Sequence, residues 1–117
     1  MSDVPFRIYH NNRCSKSRAA CQLIADQGVD AEIVDYLKTP PSREELRELL
    51  RKLGMNPAEL VRRGESVFKE QYAGRSLSEE EWLDALVAYP ILIERPIAVR
   101  GNRAVLGRPP EKVLDLL

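Results

Sequence analysis

The chain has 117 residues, 44% of them hydrophobic and 31% charged, with eighteen Lys and Arg against eighteen Asp and Glu. That length fits a single domain, 1–117, able to bury a core without disulfide help, and the balanced charge argues against a bulk electrostatic hold on nucleic acid or an anionic membrane. No apolar run approaches the ~20 residues of a membrane span, and the Met1-Ser2-Asp3-Val4-Pro5 start lacks the basic and apolar stretches of a signal peptide, so the expected location is the cytoplasm.

In chain order, Phe6-Arg7-Ile8-Tyr9 reads as a short strand, followed by the polar loop His10-Asn11-Asn12-Arg13-Cys14-Ser15. Residues 16–27 carry Ala20, Leu23 and Ile24 at helical spacing, with Gly28 as the stop. Residues 31–34 predict a second strand. Ser42-Arg43-Glu44-Glu45 is a capping box opening a helix with Leu46, Leu49, Leu50 and Leu53 on one face and Gly54 at its end. Asn56-Pro57 predicts a shorter helix over residues 57–62, ending at Arg62. A second capping box, Ser78-Glu79-Glu80-Glu81, opens a helix with Trp82, Leu83, Leu86 and Val87 that stops near Tyr89-Pro90. Strands at residues 96–99 and 103–106 are joined by Gly101-Asn102, a hairpin signal. Pro109-Pro110 then begins a last helix through Val113, Leu114 and Leu117. A β-α-β half, a helical insertion and a β-β-α half make an α/β chain of thioredoxin-like layout.

Chemistry concentrates at Cys14. It lies where a loop enters a helix, and there unpaired amides and the helix dipole favour a thiolate and an anion beside it. Arg13, Lys16 and Arg18 add positive charge nearby, and His10 is four residues upstream. His10 either supports the thiolate or orients a substrate, or merely ends the first strand. Asn11, Ser15 and Ser17 offer hydrogen bonds to the same loop, or serve it as turn and capping residues. Cys21, among Ala19, Ala20 and Leu23, reads as core. Seven helical residues span ~10 Å, beyond the ~7 Å over which two cysteine α-carbons can be bridged. In Cys14-Ser15-Lys16-Ser17 a serine stands where a dithiol redox protein has its second cysteine, so a resolving thiol must come from outside, with glutathione or a glutaredoxin as natural suppliers. Two cysteines and one histidine make a poor metal site, and none is expected. Arg62, Arg95 and Arg108 are ordinary surface arginines or, by their fork geometry, ligands for a tetrahedral oxyanion. Arg95, set between Ile91-Leu92-Ile93 and Pro96-Ile97, has the most apolar neighbourhood of the three.

Ile8-Tyr9-His10-Asn11-x-x-Cys14-x-x-Ser17-Arg18, then Tyr36-Leu37-x-x-Pro40-Pro41-Ser42-Arg43, then Ile91-Leu92-Ile93-x-Arg95-Pro96-Ile97, and the ending from Arg108-Pro109 to Val113-Leu114-Asp115 are similar, nearly end to end, to the glutaredoxin-coupled arsenate reductases. The resemblance implies a thioredoxin-like fold, Cys14 as catalytic nucleophile with His10 in support, and Arg62, Arg95 and Arg108 as oxyanion ligands, with Arg63 adjacent to the first. Asn11 and Ser17 fall beside them as substrate-binding candidates. It also implies a cis peptide between Arg95 and Pro96, and a monomer with no bound cofactor that reduces arsenate to arsenite using glutathione as co-substrate and glutaredoxin as partner. Asn12 stands where relatives usually have proline, and the basic Arg13-Cys14-Ser15-Lys16 run is similar to a sibling subgroup. Two alternatives stay open: another thiol-dependent oxyanion reductase on this fold, and a redox-sensing regulator that binds RNA polymerase. Such regulators switch through a Cys-x-x-Cys pair, which Ser17 removes here.

Overall fold

A computed structural model describes residues 5–117; the start of the chain on which the absence of a leader was judged, residues 1–4, lies outside the described residues. The chain divides into two compact units, one made of its beginning up to residue 39 together with residues 95–117, the other of residues 40–94.

The first unit holds strand β1 (Phe6–His10), helix α1 (Ser15–Asp26), β2 (Ala31–Asp35), β3 (Ile97–Arg100), β4 (Arg103–Leu106) and a 3-10 helix (Pro110–Leu116). The sheet order is β2-β1-β3-β4, with β1 parallel to β2 and antiparallel to β3, and β3 antiparallel to β4. Parallel pairing of β1 and β2 requires a crossover, and α1 supplies it. Gly28, at φ 74°, then turns the chain back, its amide donating to Ala25 O at 2.9 Å. Gly101 supplies the positive φ (63°) at the first position of the β3–β4 turn. Phe6 and Ile8 alternate with exposed Arg7 and meet Ala20, Ile24, Ala98, Val113 and Leu116 in one buried cluster. The last helix is 3-10 over its whole length, where an ordinary helix was expected. A seven-residue element starting at Pro109-Pro110 is short enough for i→i+3 bonds such as Lys112 N to Pro109 O (3.0 Å).

The second unit contains α2 (Arg43–Leu53), a 3-10 turn (Pro57–Leu60), α3 (Ser66–Gln71), α4 (Glu79–Ala88) and a second 3-10 turn (Pro90–Leu92). Its starts are capped as the sequence indicates. Ser42 Oγ accepts from the Glu45 amide at 3.1 Å, and Asn56 with Glu59 and Ser78 with Glu81 form reciprocal boxes. Arg43, bound to Glu80 and Asp84, and Arg47, bound to Glu80, tie α2 to α4. Two expectations need correction. The helix foreseen over residues 57–62 stops at Leu60, because Val61 turns extended to bridge Ile93, with Arg62 N donating to Leu92 O at 2.7 Å. Arg62 therefore follows a β-bridge rather than ending a helix. Helix α3 was not foreseen: its N-cap, Glu65, makes no side-chain capping bond. It is held instead by aromatic packing, Phe68 stacking on Trp82 at 6.1 Å and Tyr72 lying 6.1 Å from Trp82.

Candidate functional site

Strand register assembles the site. Tyr9 pairs with Ile97 and Ile97 pairs with Leu106. The residues just after β1 (Asn11 to Cys14), just before β3 (Arg95-Pro96) and just after β4 (Gly107-Arg108) therefore arrive at the same end of the sheet. The Arg95-Pro96 peptide is cis, as the family resemblance implied; the Arg108-Pro109 peptide is cis as well.

Cys14 is the N-cap residue of α1, with extended backbone (φ −94°, ψ 121°). Its amide donates to Asn11 O at 2.9 Å and its carbonyl accepts from Arg18 N at 3.1 Å, which closes the loop onto the helix. Partial burial alone would raise the thiol's pKa. The Ser17 amide, the Arg95 side chain, the Ser17 hydroxyl and the Lys16 amide favour the thiolate and bring the pKa down to about 7, while the thiol itself makes no capping hydrogen bond to the helix amides. Arg108 Nη2 also points at Cys14 Sγ from 3.9 Å, while Arg108 Nε donates to the Arg95 carbonyl at 2.9 Å. Two arginines thus converge on one sulfur. Arg95 is only 6% exposed, exposed Arg13 precedes the thiol, and exposed Lys16 and Arg18 follow it at the start of α1. A polarised thiol, free helix amides and two guanidinium forks form an arrangement that can hold a tetrahedral anion and attack its central atom.

The other candidates fall in different places. Ser17 is fully buried and Asn11 nearly so, and both serve the loop. Ser17 Oγ accepts from Asn11 N at 3.4 Å, and Asn11 Oδ1 accepts from Arg13 N at 2.9 Å. His10 ends β1, and its Nδ1 lies 3.6 Å from Cys21 Sγ. Cys21 is half-buried against the core cluster, as its apolar neighbours suggested, and burial pushes its thiol pKa up. Arg62 belongs to the second unit, with its guanidinium between Glu94 (3.0 Å) and Glu65 (3.2 Å). Its neighbour Arg63 lies over the rings of Phe68 and Trp82 at 5.3 and 5.4 Å. Among the described residues no three His, Cys, Asp or Glu side chains gather as metal ligands, and no helix is long and apolar enough to cross a membrane.

A model described as "ArsC family" matches residues 9–116. The chain belongs to the ArsC family. Among its ArsC-type relatives, the uncharacterized protein YfgD of Escherichia coli is 50% identical over 113 residues, 95% of each chain. An arsenate reductase of Neisseria meningitidis serogroup A is 40% identical over 113 residues, 95% of this chain and 97% of that one. The solved arsenate reductase from Vibrio cholerae superposes with a TM-score of 0.93 at 42% identity, covering 99% of this chain and all of that one. The ArsC fold is thus the α/β, thioredoxin-like one, with the helical unit inserted in sequence between β2 and β3.

One residue that shapes this ArsC site escaped the sequence reading. A Cβ on Gly107 would lie 2.7 Å from Pro96 Cγ and 3.0 Å from Val113 Cγ1, while the Gly107 amide donates to Pro96 O at 2.8 Å. Only glycine lets the strand after β4 lie flat on the proline that follows Arg95. The run Gly107-Arg108-Pro109-Pro110 was its only signal, and that run reads equally as an ordinary turn.

Proposed function

We propose that this ArsC-family chain reduces arsenate to arsenite, with Cys14 as nucleophile and with glutathione and glutaredoxin supplying the two electrons. One observation carries the reading: a thiol with a pKa of about 7 at the start of a helix, faced by Arg95 and Arg108. About half of such thiols are thiolate at neutral pH, and the same cations that favour the thiolate favour an oxyanion beside it. The family resemblance and the names of the Neisseria and Vibrio relatives point to arsenate as that oxyanion.

In the proposed cycle the Cys14 thiolate attacks arsenic(V), an S–As bond forms, and one oxygen leaves as water. Arg95 and Arg108 neutralise the remaining oxygens. His10 assists at the departing oxygen, Asn11 and Ser17 hold the anion-binding loop in shape, and Arg62 takes part as a third ligand for the oxyanion. A glutathione thiol then bonds to arsenic with loss of a second water. Glutaredoxin's thiolate attacks the glutathione sulfur and forms a disulfide with it. The electron pair of the S–As bond stays on arsenic, which becomes arsenic(III). Hydrolysis releases arsenite and restores the Cys14 thiol. The enzyme works as a cytoplasmic monomer and holds no cofactor.

The test is arsenite production from arsenate with glutathione, glutaredoxin and a recycling system, for wild type, Cys14→Ser and Cys21→Ser. Turnover lost only in Cys14→Ser supports the cycle. A wild type that makes no arsenite while its Cys14 alkylates rapidly would end the arsenate reading and direct the search to other oxyanions.

A further inference from the structure

The proposed cycle uses one of the two thiols on α1. The other sits at the end of the second turn, and its sulfur touches the chain's sole histidine: Cys21 Sγ lies 3.6 Å from His10 Nδ1. His10 is 9% exposed at the end of β1, and Cys21 packs against the cluster of Phe6, Ile8, Ala20 and Ile24, so neither side chain is free to drift. A neutral imidazole carries one N–H, and what meets one ring nitrogen decides whether the other bears it. Two arrangements fit this contact. In the first, Nδ1–H donates to sulfur; in the second, S–H donates to a bare Nδ1. Sulfur is weak both as acceptor and as donor, but the second arrangement gives the bare imidazole nitrogen, a good acceptor, the hydrogen it lacks, which favours it. Burial favours it too, because it keeps Cys21 a protonated thiol with a hydrogen to give. An accepting Nδ1 leaves the ring proton on Nε2.

We propose that Cys21 is a positioning residue for the reaction at Cys14: its contact with Nδ1 holds His10 in the tautomer that carries the proton on Nε2. The inference rests on the reading of His10 as part of the Cys14 site. In that site the tautomer decides the sign of the contact with substrate. Nε2–H donates to an oxygen of an anion and can help it leave, whereas a bare Nε2 turns a lone pair toward negative charge. A groove of about 420 Å³ opens beside the pair, lined by His10, Arg18, Cys21, Gln22 and Asp30 among others. If the Cys21 thiol were removed, water from this groove would reach Nδ1. Water both donates and accepts, so both tautomers would be populated.

The single histidine makes the test direct. With 15N-labelled wild type, Cys21→Ser and Cys21→Ala at about pH 8.5, the two ring nitrogens report which of them bears hydrogen. The expected result is a protonated Nε2 in wild type, a shift toward a mixture in Cys21→Ala, and a return in Cys21→Ser, whose hydroxyl can donate. Turnover of arsenate should fall about two- to fivefold in Cys21→Ala, in proportion to the molecules in the wrong tautomer, and recover in Cys21→Ser. Alkylation of Cys14 should stay at the wild-type rate in both, which also shows that both variants fold. An unchanged nitrogen spectrum in Cys21→Ala overturns the proposal, and so does a changed spectrum with unchanged turnover. If wild type makes no arsenite, the arsenate reading falls alone, and the nitrogen spectrum still decides whether Cys21 sets the tautomer.

Discussion

At the first turn of α1, the sulfur of Cys14 is met by the Ser17 and Lys16 amides, the Ser17 hydroxyl and the Arg95 guanidinium, and its pKa falls to about 7. At the end of the second turn of the same helix, Cys21 has a half-buried sulfur beside His10, and its pKa rises. Residue type and helix are shared, so neither explains the difference. The first turn has amides that no carbonyl in the helix can use, and the sheet brings a charged segment to it; around Cys21 the amides are spent and the neighbours apolar. Reactivity here belongs to the place, and the thiol makes use of it.

The sharpest way to break that comparison is to ask each thiol to react alone. With iodoacetamide at pH 7, Cys21→Ser should be alkylated as fast as wild type, while Cys14→Ser should react about 100-fold more slowly, since a protonated thiol is nearly inert. Mass-resolved kinetics would show it, and comparable rates for the two variants would erase the contrast. Next in size is Gly107→Ala. The new methyl must displace Pro96 or Val113, costing about 1–3 kcal/mol of stability and moving the segment that carries Arg95. Arsenate turnover should drop at least about tenfold, given how steeply rates fall with misplacement. A variant with wild-type melting temperature and turnover would mean that the strand after β4 can shift freely.

A finer cut is Ser17→Ala, which removes a fully buried hydroxyl from the sulfur but leaves the Ser17 amide in place. A pKa rise of about one unit would lower the alkylation rate at pH 7 about fivefold and leave it unchanged near pH 10. In wild type the sign follows from the same lowered pKa. The rate should climb about tenfold per pH unit below 7 and level off above about pH 8, because the thiolate then already dominates. A wild-type profile still climbing at pH 9 would say that the donors around Cys14 do not lower its pKa.

How much of this was legible beforehand follows the range of the forces involved. Ser42, Asn56 and Ser78 announce their helix starts because a cap acts within four residues, and Gly101-Asn102 announces its hairpin for the same reason. Cys14 stood out because the helix start behind it and the positive charges of Arg13, Lys16 and Arg18 are its own chain neighbours. Helix α3 did not, since it is held by Phe68 and Tyr72 on Trp82, ten or more residues away in sequence. The same applies to residues 57–62, where a bridge from Val61 to Ile93 overrode a sound helical start. Residue type made Arg62, Arg95 and Arg108 equal candidates. Long-range pairing separated them: Arg95 and Arg108 reach the thiol, and Arg62 has Glu65 and Glu94 beside it. The tight fit of Gly107 to Pro96 is long-range in the same sense, which is why a turn-like run gave no hint of it.

The smallest effect expected at the thiol comes from a change in the second unit. Ser78 caps α4 through the Glu81 amide at 3.2 Å, and Glu81 answers to the Ser78 amide at 3.0 Å. Replacing Ser78 with Ala removes one half of that exchange and should cost about 1 kcal/mol of stability, read as a lower melting temperature or denaturation midpoint. Ser17, Lys16 and Arg95, which tune Cys14, all belong to the first unit. The alkylation rate at pH 7 should therefore stay within about 20% of wild type, which is about what a shift of 0.2 pKa unit would bring. If the rate moved with the loss of the cap, the thiol's environment would depend on the helical unit, and the contrast between the two turns of α1 would have a source outside their own unit.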